Sequence, residues 1–176
     1  MLFFIRHGQT DANLNRLNAG GEWDVPLNET GMAQARAFNE TNREFIEQVD
    51  TVFVSPMTRA QQTAELILKG HSKPVEVVEG LREWHLGEWS GTKWDEVGDY
   101  FTDRLNPPGG ETMAAFEKRT IDNLKYAAGQ HAGRVLVVAH GGLWYVYAAL
   151  AKHKKLLIDN CQSEEICRLK LNEVVL

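Results

Sequence analysis

Cysteine is scarce in this chain: Cys161 and Cys167, close together near the C-terminus, are all it has. Two such residues make no disulfide framework, and both are expected as reduced, partly buried thiols in a cytoplasmic protein. Long apolar runs are missing as well. The stretch around Leu143 to Ala151 falls far short of the roughly 20 residues that span a bilayer. Met1 to Ile5 is too short for a signal peptide and has no basic segment ahead of it. An excess of positive charge is also absent. The formal net charge of −5 argues against nucleic acid or an anionic membrane as a partner. It leaves room for a small anionic substrate, because a few arginines set the field inside a cleft. No two histidines stand at helical spacing beside an acid and no compact Cys/His cluster occurs, so no metal site is expected. Repeats, low-complexity tracts and linker-like shifts are lacking too, so residues 1–176 read as one domain.

What is present is a regular alternation. Leu2 to Ile5, Thr51 to Val54, Val75 to Val78 and Arg134 to Ala139 are short apolar runs of the kind that form buried strands. Between them, apolar residues recur at three- and four-residue steps: Met32 to Val49 after a cap at Asn28 or Thr30, Met57 to Leu68, and Met113 to Ala127. A last helix is expected from about Gly142 to Lys152, then a closing strand near Glu165 to Leu171. Strands apolar on both faces, alternating with amphipathic helices, predict an α/β fold. The expected form is a three-layer α/β/α sandwich with a mostly parallel central sheet.

In such sheets the ligand crevice lies beyond the carboxyl ends of the strands, and the unusual polar residues of this chain fall there. Arg6-His7-Gly8 follows the first run, Ser55 to Arg59 the second, Arg82-Glu83 the third and His140-Gly141-Gly142 the fourth. Neutral imidazole is a good nucleophile for phosphorus, guanidinium groups match phosphate oxygens in paired hydrogen bonds, and a carboxyl group can carry a leaving-group proton. A glycine after each histidine allows close approach of a bulky anion and supplies free N–H groups. Each piece alone has an ordinary structural explanation: Arg59 could cap a helix or pair with Glu65, and Glu83 could be a solvated loop charge. Their coincidence at equivalent strand ends is what carries the reading.

Other candidates are set lower. His71, His131 and His153 stand beside glycine or lysine and are expected to be solvated, and His85, two residues after Glu83, is weighed mainly as a surface loop residue. Trp23, Trp84, Trp89 and Trp94 fall in or near the rim loops. Packing of those loops onto the sheet is the preferred reading, and an apolar wall for a ring-bearing leaving group the alternative.

Arg6-His7-Gly8-Gln9-Thr10 with Asn13 resembles the signature of the histidine phosphatase superfamily, the phosphoglycerate mutase-like proteins. The likeness runs in order through Asp24 to Gly31, Ser55 to Ala64, Leu81 to Gly91, Pro108 to Thr112 and Val138 to Gly142. It implies a phosphoglycerate mutase-like fold and a phosphohistidine formed on His7. Arg6, Arg59 and His140 would hold the phosphoryl oxygens, with Asn13, Thr10, Gly8 and Gly141 as further phosphate-binding positions. Glu83 would protonate the leaving alkoxide and then activate water. Two guanidinium groups should keep His7 neutral, and a bound phosphate dianion should favour a proton on Glu83, which implies an optimum below neutral pH. No metal or cofactor is expected, because the arginines and a protonated His140 would supply the positive charge. The partner is a small phosphorylated substrate, and monomer and homodimer both stay open. The compact segment after Gly91 is more similar to the small phosphatases, acting on sugar phosphates, nucleotide-like esters such as ribazole phosphate, or broad monoesters. Phosphoglycerate mutase-type transfer, a phosphohistidine protein phosphatase and a non-catalytic phospho-ligand binder are the alternatives.

Overall fold

The computed structural model describes residues 1–166 and 168–174, with only the backbone of residues 168–170. Cys167 lies outside the described residues. Strands β1 (Leu2–Arg6), β2 (Thr51–Val54), β3 (Val75–Val77), β4 (Val135–Ala139) and β5 (Ser163–Ile166) form one sheet in the order β3-β2-β4-β1-β5. The first four strands are mutually parallel, and β5 runs antiparallel on the edge beside β1. The helices are α1 (Asp11–Leu14), α2 (Glu29–Thr41), α3 (Arg43–Glu47), α4 (Thr58–Ile67), α5 (Met113–Gln130), α6 (Gly141–Leu150) and α7 (Arg168–Glu173).

Successive side chains of a strand point to opposite faces, and here each face has its own core. Leu2, Phe4, Val135 and Val137 pack with Phe116, Leu124, Leu143 and Trp144 from α5 and α6. Ile5, Val52, Val54, Leu136 and Val138 pack with Ala35, Ile46, Ala60 and Ile67 from α2, α3 and α4. The expected three layers are thus present, and β4 is buried along its whole length. Among the described residues no helix is long and apolar enough to cross a membrane.

Three expectations change at the edges. The Val75 run is not buried: among the described residues β3 pairs only with β2, and Val75 and Val77 are 49% and 54% exposed. The helical pattern from Met32 to Val49 breaks at Asn42, whose backbone N–H and side-chain Nδ2 both donate to Phe38 O (each 3.0 Å) and cap α2 there. The closing strand ends at Ile166, and the backbone is helical again from Arg168.

The topology places the crevice. Neighbouring β1 and β4 send their chains to opposite faces, towards α2 and α6, and a cleft opens between their carboxyl ends. The loop leaving β1 is held against the start of α2 by a close backbone crossing. A Cβ on Gly8 would stand 2.6 Å from Gly31 O, and one on Gly31 would stand 2.1 Å from Gln9 O. Only glycine fits at either position. Asn28 begins α2 at this crossing, accepting from Gly31 N at 2.9 Å.

Candidate active site

His7 stands one residue past β1, with its N–H on Ala139 O (2.9 Å), so the sheet ladder fixes its backbone. Its Nδ1 lies 2.7 Å from Gly8 O. A carbonyl oxygen can only accept, so Nδ1 carries the proton and the neutral ring keeps its lone pair on Nε2. The ring is buried, and burial lowers its pKa well below the ordinary 6.5; Arg59 and Arg6 push the same way, against the Gly8 carbonyl. The result is a neutral, oriented imidazole, which is the state a nucleophile needs.

His140, the residue after β4, packs against it with ring centroids 5.2 Å apart. Its Nε2 is 2.7 Å from Ser55 Oγ, at the end of β2. Burial, followed by the charges of Arg59 and of the other site residues, holds its pKa well below 6.5. The expected proton on His140 is therefore disfavoured in the free protein, by burial first and then by the charge of Arg59.

Arg59 sits in the first turn of α4, 2% exposed, with Nη2 on Gly20 O (2.9 Å) and Nη1 on Trp23 O (3.3 Å). Asp24 fixes that turn by accepting from Thr58 N (2.8 Å) and Thr58 Oγ1 (2.7 Å). Arg6, at the end of β1, donates from Nη1 to Ile158 O at 2.9 Å. Burial lowers the pKa of both arginines, while Glu83 opposes the shift. Among the described residues Arg6 Nε and His140 Nδ1 are buried without a hydrogen-bond partner. Two guanidinium groups held largely out of water, one of them with an unpartnered buried Nε, call for an anionic partner with several acceptor oxygens.

Glu83 enters from the segment after β3. Its carboxylate accepts from Trp84 N (2.9 Å) and from Gly142 N (3.2 Å), at the N-terminus of α6 where negative charge is favoured. A Cβ on Gly142 would lie 2.4 Å from Glu83 Oε1, so this glycine makes room for the acid. Behind the loop, Arg119 of α5 donates to Gly80 O (2.9 Å), Arg82 O (2.7 Å) and Glu83 O (3.4 Å) while paired bidentately with Glu111 at 2.9 and 2.6 Å. One guanidinium thus fixes the backbone that presents Glu83.

Arg6, His7, Arg59, Glu83, Asn13, Thr10 and Gly141 all line one cavity of about 400 Å³. The remaining positions divide. Gly8 is not on its wall, and its N–H is spent on Thr63 Oγ1 at 3.0 Å, so the free donor expected there is absent. Thr10 caps α1 reciprocally with Asn13: its hydroxyl accepts from Asn13 N and donates to Asn13 Oδ1. Arg82 is held by Glu79 and Gly21 O, and His85 pairs with Glu22 at 3.2 Å; neither lines the cavity. His153 is half-buried edge-on to Trp144 (5.2 Å) rather than solvated. Trp84 serves both readings, stacked on Phe116 at 5.2 Å and lining the cavity, and Trp94 lines it too, whereas Trp23 and Trp89 do not.

Sequence reasoning assigned no role to Ser55, Thr63 and Asn160, which hold His140, Gly8 and His7 O respectively. It also missed Tyr100, Phe101 and Tyr145 on the cavity wall. A buried hydroxyl inside a helix, as at Thr63, gives no local signal. Among the described residues no group of three or more His, Cys, Asp or Glu side chains is gathered where it could hold a metal ion.

A family model described as histidine phosphatase superfamily (branch 1) matches residues 2–171. The chain is 33% identical over 138 residues to the uncharacterized phosphatase PhoE of Bacillus subtilis (strain 168), covering 78% of this chain and 69% of that protein. It is 35% identical over 158 residues to the 2,3-bisphosphoglycerate-dependent phosphoglycerate mutase 2 of Gloeobacter violaceus, covering 80% and 70%. The crystal structure of a phosphoglycerate mutase from Thermus thermophilus superposes with a TM-score of 0.75 at 27% identity, covering 92% of this chain and 90% of that one.

Proposed function

The chain belongs to the histidine phosphatase superfamily, branch 1, and from that membership we propose that it hydrolyses small phosphomonoesters through a phosphohistidine on His7. The observation that carries the reading is the Nδ1–Gly8 O bond of a buried, neutral His7, which leaves Nε2 as the attacking atom between Arg6 and Arg59. The Nε2 lone pair bonds to phosphorus as the ester P–O bond breaks in line. Arg6 and Arg59 bear the phosphoryl charge, with the free Arg6 Nε–H as a further donor. Glu83 gives its proton to the departing alkoxide, and its carboxylate then takes a proton from water. That water attacks phosphorus, the P–N bond breaks, and phosphate leaves a neutral His7. Net, one ester and one water yield one alcohol and one phosphate.

Hydrolysis is preferred to mutase transfer because a mutase must return the phosphoryl group to a second hydroxyl of an anionic glycerate, and cations to hold its carboxylate are not found beyond Arg6 and Arg59 among the described lining residues. The cytoplasm is the compartment this reading assigns; Cys161 is a free thiol whose pKa burial pushes up to about 12, which makes it inert.

Rapid quenching after mixing with a ³²P-labelled monoester tests the proposal. The expected result is protein-bound label that survives alkali and is lost in acid, with free phosphate accumulating in the presence of EDTA. In His7→Ala the label should vanish and turnover fall by at least about a thousandfold. Unchanged turnover in that variant, or isomerised 3-phosphoglycerate without phosphate release, defeats the reading.

A further inference from the structure

The catalytic groups share the cavity with five aromatic rings: Trp84, Trp94, Tyr100, Phe101 and Tyr145 line the same space. These rings support one another: Phe101 lies on Tyr145 at 4.4 Å and 31°, and against Trp84 and Tyr100 at 5.3 and 5.0 Å. The wall is therefore a preformed aromatic surface rather than loose side chains. It continues to the mouth, where Trp94 and Leu157 are 39% and 73% exposed. Apolar side chains of that size are left uncovered at a cleft when a ligand is to cover them.

The polar side-chain atoms of Tyr100, Asn18 and Trp84 are already used. Tyr100 donates its hydroxyl proton to Asn18 Oδ1 (3.1 Å), Asn18 Nδ2 donates to Thr92 Oγ1 (3.2 Å), and Trp84 Nε1 donates to Glu111 O (2.7 Å). A sugar or glycerol hydroxyl placed there would lose water and gain little. Charge points the same way. Among the described lining residues, the charged groups other than Arg6 and Arg59 are Glu83 and Asp159, both acidic. A carboxylate or second phosphate on the leaving group would meet acids and rings where it needs a cation.

Building on the hydrolase reading above, we infer that the preferred substrates are phosphomonoesters whose leaving alcohol carries a flat, uncharged, apolar ring and no second anionic group, with Phe101 and Tyr145 as the specificity-determining residues. The aryl portion lies on the Phe101–Tyr145 face while the phosphoryl group reaches His7. Compact anionic esters fill the arginine end and leave the wall wet.

Two measurements test this, one through turnover and one through binding. Three esters of alkyl alcohols, 2-phenylethyl phosphate, glycerol 3-phosphate and 3-phosphoglycerate, keep the leaving-group chemistry comparable. The phenylethyl ester should exceed each of the others at least about tenfold in kcat/KM, mainly through a lower KM, since one buried phenyl group supplies that much. In Phe101→Ala and Tyr145→Ala the ratio should collapse to within about threefold of unity. A ratio between two substrates in one preparation does not depend on how much of the variant folds. An equal or reversed preference in the wild type, or an unchanged ratio in both variants, overturns the inference. Calorimetric binding of benzylphosphonate against phosphonoacetate, neither of which can be hydrolysed, reads the cavity without the reaction. Tighter benzylphosphonate binding by a protein that hydrolyses no ester would defeat the hydrolase reading and leave the ring preference standing. Tighter phosphonoacetate binding would defeat the ring preference whatever the turnover shows.

Discussion

At the scale of single residues, the state of His7 governs the response to pH. Its pKa is lowered well below 6.5 by burial and by Arg59 and Arg6, so acidification through the ordinary imidazole range leaves it unprotonated and able to attack. The value of kcat/KM for an alkyl ester should therefore hold or rise between about pH 8 and about pH 6, with no loss centred on the usual histidine pKa. Removing the acid should show in the leaving group. Glu83→Gln is expected to lower kcat by about 10² to 10⁴ for an alkyl ester and much less for p-nitrophenyl phosphate, whose departing anion needs little protonation. A pH–rate profile that falls with a midpoint near 6.5, or equal losses on both esters, would contradict these roles.

At the scale of elements, the site is made where two structures meet. The first turn of α6 and the Glu83 carboxylate meet where residue 142 lacks a side chain, and an added Cβ would stand 2.4 Å from Glu83 Oε1. That oxygen ends a flexible side chain, so Gly142→Ala should fold by displacing the carboxylate. Alanine also favours the helix by up to about 1 kcal/mol. Activity and stability should therefore separate: kcat for an alkyl ester falls at least about tenfold through loss of acid geometry, while the urea midpoint is unchanged or higher. A parallel drop in both would show that the glycine serves packing alone.

At the scale of the whole molecule, the fold holds two neutral histidines that the unfolded chain would protonate. Both folded-state pKa values are depressed, so below about pH 6.5 the unfolded state binds more protons. Stability is thus fully present above 6.5 and drains as pH falls towards the folded pKa values. Each histidine contributes about 1.4 kcal/mol per pH unit in that window, a large effect against a typical total of about 5–15 kcal/mol. Urea midpoints from pH 7 to pH 5 should fall steeply, and His140→Asn should roughly halve the slope. An equally steep slope in that variant would mean that His140 titrates normally in the fold.

Sequence alone determined the alternation of strand and helix, a helix cap at Asn28 or Thr30, and the placement of His7, Arg59, Glu83 and His140 in the segments that follow strands. These rest on local periodicity and on motifs whose meaning is carried by neighbouring residues. It erred where the deciding contact is distant: Gly8 is set by Gly31 and Thr63, and the exposure of β3 by its place at the sheet edge. Tertiary structure alone decided that burial disfavours a proton on His140, that Arg119 fixes the carbonyls around Glu83, and that Tyr100, Phe101 and Tyr145 wall the cavity. Burial and its electrostatic consequences are collective properties of surfaces brought together by the fold, so no window of sequence contains them.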